Sequence, residues 1–495
     1  MNATLAANAG ASTPPARRLS PGTMASYGFG AAAYGVKDSG FGTFLLLFYN
    51  QMVGVPAATV GFVVMCALIV DAFVDPLVGS LSDRTRGRLG RRHPWMYGAA
   101  LPIMLGWLAL WHPPIGADQG TILTWLFVVA VIVRSAVSAY EVPSQAMAAE
   151  LSTDYDERTR IMAYRYLFGW AGGLVMLIGA YWYFLAPTPA YPNGLLNPAG
   201  YRGFAIAGAL FMGLAILVSA IGTHRQIPHL PKATAGRQSV GKHFREIGET
   251  LKNRAFLTLM LAGICAYTGQ GVIYAISNYL YTYVWGFKGY AFVYFSFALF
   301  AGVLVAFVAA PRIGARTSKP KAAAIASLIS ASLGTSPYWL RLADIFPAVG
   351  NPVMIPLLFV ILSSATACGV TAYILGSSMM ADVVEDSEIR TGRRSEGMFF
   401  AGAFFVQKCT SGIGIFVCGL ILAFAGFPAK AVPGQVPEAT LDRLTLIYAV
   451  VYLVCACLAA LCYSRFPFGR TEHEARVARL ATVTAAESQP KEPFA

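Results

Sequence analysis

Residues 57–95 read AATVGFVVMCALIVDAFVDPLVGSLSDRTRGRLGRRHPW. The stretch 57–81 is apolar at nearly every position, broken chiefly by the carboxylates Asp71 and Asp75. A helix needs about 20 such residues to cross a hydrocarbon core of about 30 Å. The run then gives way to Asp83 and to Arg84, Arg86, Arg88, Arg91 and Arg92. An apolar run of spanning length that ends on a block of arginines reads as a membrane helix meeting the cytoplasm.

The rest of the chain repeats this pattern. Of its 495 residues 56% are apolar and only 12% charged, with a mean hydropathy of +0.56. Soluble domains carry roughly 25% charged residues, so most of this chain has no water to face. In lipid every backbone amide needs an internal partner, which selects helices over open strands, and the short alternating segments of a membrane barrel are missing. The fold class is an all-α polytopic membrane protein. Twelve transmembrane helices are expected, at about 26–50, 57–81, 95–112, 121–147, 161–186, 203–223, 255–285, 291–310, 322–341, 352–380, 397–426 and 444–464.

Alternate connections differ sharply in charge. One side, with both tails, holds 28 of the 37 Lys and Arg residues; the other holds only Arg202, Lys288, Arg341, Lys430 and Arg443. The net charge of +13 is therefore a positive-inside signature rather than a nucleic-acid surface. Both termini are expected in the cytoplasm of a protein integral to the plasma (inner) membrane. The first 25 residues lack an apolar core of signal-peptide length and read as a disordered cytoplasmic tail. The eight cysteines fall in apolar segments without CxxC spacing and read as small hydrophobes.

The long polar connection 224–254 divides the chain into bundles 26–223 and 255–464, with a cytoplasmic tail at 465–495. A weak repeat supports the division. MAAELSTDYDERTR from Met147 and MMADVVEDSEIRTG from Met379 each place a carboxylate (Glu150, Asp382) eight residues before an arginine (Arg158, Arg390). The basic loops SDRTRGRLGRRHP and PRIGARTSKPKA lie at nearly the same offset. A duplicated six-helix bundle places a substrate site between its halves near mid-membrane.

Ionisable residues inside spans are functional hypotheses by default. Asp38, Asp71, Asp75 and Glu141 balance Lys37, Arg134, Arg165 and Lys408. Asp71 and Asp75, four residues apart, share a helix face and repel when ionised. Na⁺, Li⁺ or a proton would relieve that repulsion, with Asp38 a third candidate ligand; the alternatives are a helix-bending structural role for Asp75 beside Pro76, or an aspartate that only neutralises an arginine. Arg134, Ser138, Glu141 and Gln145 form one polar stripe, which either lines a cavity or ties helices together. Tyr267, Gln270, Tyr274, Asn278 and Tyr281 form another, although Tyr281, Tyr283 and Trp285 fit an interfacial aromatic belt. All six histidines lie in loops, tails or span ends, so coupling falls to carboxylates. With no Walker A sequence and no catalytic or metal-ligand constellation, neither ATP-driven transport nor an enzyme is expected.

The segments SYGFGAAAYGVKD, VDAFVDPLVGSLSDRTRGRLGRRHPW and EVPSQAMAAELSTDYDERT resemble the glycoside–pentoside–hexuronide:cation symporters of the major facilitator superfamily. The likeness runs from about Tyr27 to Lys408 and is most specific over Asp71–Thr85. It implies the major facilitator fold, with Asp71 and Asp75 as cation ligands, Asp38 and Arg165 near the sugar and Lys408 close to the cation. It also implies that the loop with Asp83, Arg84, Arg88, Arg91 and Arg92 is a gate. Glu141 and Gln145 stand where melibiose-type members carry an aspartate and a tryptophan as sugar contacts.

The expected function is symport of a glycoside, oligosaccharide or hexuronide with Na⁺ or H⁺, without other cofactors. The substrate would lie against Asp38, Glu141, Gln145, Arg165 and Tyr274, with Lys408, Lys37 and Arg134 as charge partners. A carrier for lysolipids or other amphiphiles is the alternative. The expected partners are a small molecule and the bilayer; one bundle of this size can act alone, as a monomer.

Overall fold

The computed structural model describes residues 19–152, 154–230, 253–391 and 396–467. Most of both tails, most of the basic connection after residue 230, and Arg393 and Arg394 therefore lie outside the described residues, as does the side chain of Arg390.

The described chain is helical, without strands. The first span, α1, is a run of helical pieces: Pro21–Phe29, Ala32–Ser39, a π-helical Gly40–Phe44, Leu45–Leu47 and a π-helical Phe48–Val53. It starts earlier than expected because Ser20 caps it, accepting from the Thr23 amide at 3.1 Å, with proline in the first turn. There follow α2 (Ala57–Arg84), α3 (His93–Leu110), α4 (Gln119–Leu151), α5 (Tyr155–Gly179) and α6 (Pro198–His224). The second half holds α7 (Arg254–Tyr279), α8 (Ala291–Arg316), α9 (Lys319–Leu342), α10 (Met354–Thr391), α11 (Glu396–Phe424) and α12 (Glu438–Ser464). Short π-helical turns, Ala180–Phe184 and Leu280–Val284, extend α5 and α7.

Among the described residues nine helices are long and apolar enough to cross a membrane. The other three expected spans are α1, α3 and α9. The first is divided into short pieces; α3 opens on His-Pro-Trp and α9 is diluted by Ser, Thr and Gly. The described residues nonetheless hold twelve long helices, α1 in pieces, in two six-helix bundles.

Without a hydrophobic drive between helices in lipid, close association depends on packing of small residues. Helix α11 shows this on two faces. A Cβ on Gly271 of α7 would lie 2.6 Å from the Ser411 carbonyl oxygen, and one on Gly61 of α2 would lie 2.9 Å from that of Ile415. Bare glycine lets α11 press against α7 of its own half and α2 of the other.

The duplication is visible in ion pairs at the end carrying the basic loops. Arg92 binds Asp83 at 2.6 Å and Glu150 at 2.7 Å, and Arg91 reaches Glu150 at 2.8 Å. In the second half Lys319, at the start of α9, binds Asp382 at 3.0 Å. A cation opening the third helix of each half thus holds the carboxylate late in the fourth. These pairs each join helices of one half. The repeat's arginine Arg158 instead donates to the Ser152 carbonyl at 2.6 Å.

The opposite end is tied across the halves. Gln51, at the end of α1, accepts from Tyr283 Oη at 3.1 Å and the Ala431 amide at 2.7 Å, and donates to the Pro428 carbonyl at 3.2 Å. Its neighbour Asn50 accepts from Tyr279 Oη at 3.0 Å. Asn278 of α7 donates to the Thr43 carbonyl at 3.1 Å and accepts from Tyr181 Oη at 2.8 Å. Asn50, Gln51 and Asn278 are buried. This corrects the aromatic-belt reading: Tyr283 serves the closure, and Trp285 packs on Tyr338 and Phe346 with 1% exposure, away from any lipid interface. Tyr281 is half-buried and stacks on Phe287.

Gln51→Leu should strand the buried Ala431 amide, at about 1–3 kcal/mol, and loosen this end. Spin labels at the exposed Ile115 and Val349, one in each half, should then report a longer mean separation than in the unsubstituted chain. An unchanged distance distribution would show that the closure does not depend on Gln51.

Candidate functional site

Asp71 is buried on α2 with 2% side-chain exposure. It can remain charged there only if cations and hydrogen bonds replace the lost water. Arg134 of α4 supplies two bonds to Oδ2, from Nε at 3.0 Å and Nη2 at 2.8 Å. One turn along the same helix, Ser138 donates to Oδ1 at 2.9 Å. The fourth group comes from the other half: Lys408 of α11 places Nζ 3.0 Å from Asp71 Oδ2 and 2.6 Å from Asp75 Oδ2. Nζ also lies 3.3 Å from Ser138 Oγ. One ammonium therefore spans both carboxylates, relieving the repulsion expected of an i, i+4 pair. Asp75 is more open, at 26%, yet its Oδ1 is buried without a hydrogen-bond partner.

The second cluster lies along α4 and α5. Arg165 Nη2 donates to Glu141 Oε1, and its Nη1 reaches Ser144 Oγ at 3.0 Å and Tyr27 Oη at 3.3 Å. Tyr27 in turn donates to the Ser144 carbonyl at 2.9 Å. Arg165 has 4% of its side chain exposed, so its charge acts on the cavity through Glu141, whose Oε2 is buried and unpartnered. The α4 stripe thus divides by helical turn. Arg134 and Ser138 serve Asp71, Glu141 serves Arg165, and Gln145 is exposed.

Asp38 does not join Asp71 and Asp75. Its carboxylate is 56% exposed and lies 3.7 Å from Lys37 Nζ. Among the described residues no three of His, Cys, Asp and Glu gather closely enough to hold a metal ion. The third candidate ligand thus stands apart from the pair in this structure, exposed beside Lys37. Lys37 is buried, with Nζ 3.9 Å above the Tyr34 ring. Arg134 similarly lies 5.2 Å over Phe41. An aromatic face is a favourable neighbour for a desolvated cation.

Tyr274 of α7 is 38% exposed, accepts from Gln270 Nε2 at 3.3 Å and packs beside Gly42 of α1. The α7 stripe therefore has two uses, with Gln270 and Tyr274 facing open space and Asn278 absorbed into the closure. In the basic loop Arg84 and Arg88 are exposed while Arg91 and Arg92 hold Glu150. Sequence reasoning missed Tyr27, Ser144 and Tyr34. The i, i+3 spacing of Tyr34 and Lys37 was a usable signal; the contact of Tyr27 with α4 and α5 had none.

Comparison with known proteins decides the family. Residues 26–470 match the family described as MFS/sugar transport protein. The chain belongs to that family. It is a membrane transporter and not an enzyme. An uncharacterized symporter of Synechocystis is 27% identical, over 85% of this chain and 88% of its own length. A putative glycoside/cation symporter of Escherichia coli is 25% identical, over 86% of this chain and 88% of its own. Among solved structures, a D-xylose-proton symporter superposes with a TM-score of 0.59 at 16% identity, over 90% of this chain and 96% of that one. At that identity the likeness speaks for the fold.

Arg165→Met should destabilise the folded transporter by about 3–5 kcal/mol, because Glu141 is left as an uncompensated buried charge. The double variant Arg165→Met/Glu141→Leu should recover much of that loss. Thermal unfolding in detergent checks both; equal losses in the two variants would exclude charge pairing as the reason Arg165 is buried there.

Proposed function

We propose that this transporter moves a glycoside, oligosaccharide or hexuronide together with Na⁺ or H⁺ by alternating access. The observation that carries the reading is Lys408: one ammonium from the second half, set between two carboxylates of the first. It occupies the place a cation would take, so ion binding and the contact between halves compete for the same oxygens. A Na⁺ or proton arriving at Asp75, the more exposed of the pair, displaces Lys408 and releases that contact. Asp71, held by Arg134 and Ser138, stays fixed as the second carboxylate.

Asp38, Glu141, Gln145 and Tyr274 form the polar wall for the substrate, with Arg165 holding Glu141 in place and Lys37 beside Asp38. Carboxylates and amides at a sugar site accept and donate to hydroxyl groups, and the ring of Tyr274 offers an apolar face. The bundles 26–223 and 255–464 move as bodies about the connection 224–254. The transporter works as a monomer in the inner membrane with both termini cytoplasmic, its closure at Gln51 facing outward. The curated symporter relatives support this class of substrate and ion coupling.

Asp75→Asn removes one of the two charges that a cation would neutralise, and it should abolish cation-stimulated uptake while leaving the protein folded in the membrane. Uptake of radiolabelled glycoside into proteoliposomes, with and without Na⁺ at two pH values, measures it; unchanged stimulation would remove Asp75 from the mechanism. A panel of glycosides, hexuronides and lysolipids tested by thermal unfolding separates the substrate classes, since a ligand of the native state raises the midpoint. A cation-dependent rise with a glycoside is expected, and a rise with lysolipids alone would turn the reading toward an amphiphile carrier.

A further inference from the structure

Helices α8 and α9 both pack on α10 and touch one another only slightly. A cleft opens between them, with α10 as its floor, and its volume is about 480 Å³. Val305 and Ile313 of α8 and Ile325 and Ile329 of α9 form its walls, each between 38% and 57% exposed. The floor is the small trio Ala367, Cys368 and Thr371. At the end of the bundle bearing the basic loops the cleft meets Thr317, Ser318 and Lys321. Lys321 is exposed and so is Arg316, one residue before Thr317.

Two features select the occupant. Val305 lies twelve residues before Thr317, which caps α8, or about 18 Å along the axis, close to one leaflet of a core about 30 Å thick. The walls change along that length from the aliphatic Val305, Ile325 and Ile329 to Thr317, Ser318 and Lys321, in the order a lipid presents chain, glycerol and headgroup; the Thr371 hydroxyl in the floor is taken up by the Ala367 carbonyl. Basic side chains at this depth attract anionic lipid, and uncharged headgroups gain nothing from them.

We propose that the cleft between α8 and α9 is a binding site for an anionic phospholipid of the leaflet at the basic end. One acyl chain lies over Ala367 and Cys368, and the phosphate lies against Lys321. The site is on the outer face of the second half and shares no residue with the Asp71 and Glu141 clusters. Nothing in it rests on the transported substrate.

Native mass spectrometry of the full chain released from detergent tests this, with dioleoyl phosphatidylglycerol, dioleoyl phosphatidylcholine and inorganic phosphate as probes. Phosphatidylglycerol should give a saturable single adduct, at least about fivefold tighter than phosphatidylcholine, the preference one cation near the surface confers. Lys321→Ala should remove most of that preference. Ala326→Phe, which fills the cleft, should remove the adduct; Ile329→Trp serves the same end if the first variant fails to fold, as judged by its thermal midpoint. Equal affinity for the two lipids would overturn the proposal, as would an adduct that survives both filling variants. Displacement by inorganic phosphate alone at equal concentration would reassign the site to a free anion.

Discussion

A carboxylate with 2% exposure in the middle of a membrane protein must be neutralised where it stands, and Asp71 organises much of the molecule for that reason. Two counter-charges and a hydroxyl do this: Arg134 of α4 within its own half, Lys408 from the opposite half, and Ser138 a turn beyond Arg134. Losing both cations would leave Asp71 as an unpaired ion in a low-dielectric setting, at a cost of several kcal/mol. Electrostatics and conformation are thereby linked, since the halves cannot part without Lys408 leaving its two carboxylates.

The close approach of α2 and α11 makes that linkage geometrically possible. A lysine reaches only a limited distance beyond its backbone, and the glycines that let α11 lie against α2 bring Lys408 within bonding range of Asp71 and Asp75. The same small-residue packing fixes α7 against α11. At the far end Gln51 and Asn50 hydrogen-bond across the halves. At the basic end Glu150 and Asp382 are held within their own halves. The described contacts thus join the halves at one end while bracing each half separately at the other, as alternating access requires of one of its states.

Apolar run length, charge asymmetry between loops and the offset between the two carboxylate–arginine segments were sufficient for the fold class, the span count and the two-half plan. Those features are local or periodic, and the bilayer enforces them on any chain that crosses it. The spacing of Asp71 and Asp75 likewise marked them as a coupled pair, because four residues on a helix set their separation. The charges inside spans were likewise legible as the groups that would have to pair with one another.

What paired with what depended on the tertiary structure. The equal numbers of buried acids and bases did not tell Arg134 to take Asp71 while Arg165 took Glu141, nor that Asp38 would stand apart with Lys37. The polar stripes of α4 and α7 were visible as stripes, but their division between site, scaffold and closure came from which neighbour met each turn. The aromatic residues ending α7 looked like lipid anchors because their composition is the same in both settings; only packing against α9 and the α11–α12 connection buried them. Periodicity sets which face of a helix is polar, whereas the rotation and tilt of twelve helices against one another decide what that face meets.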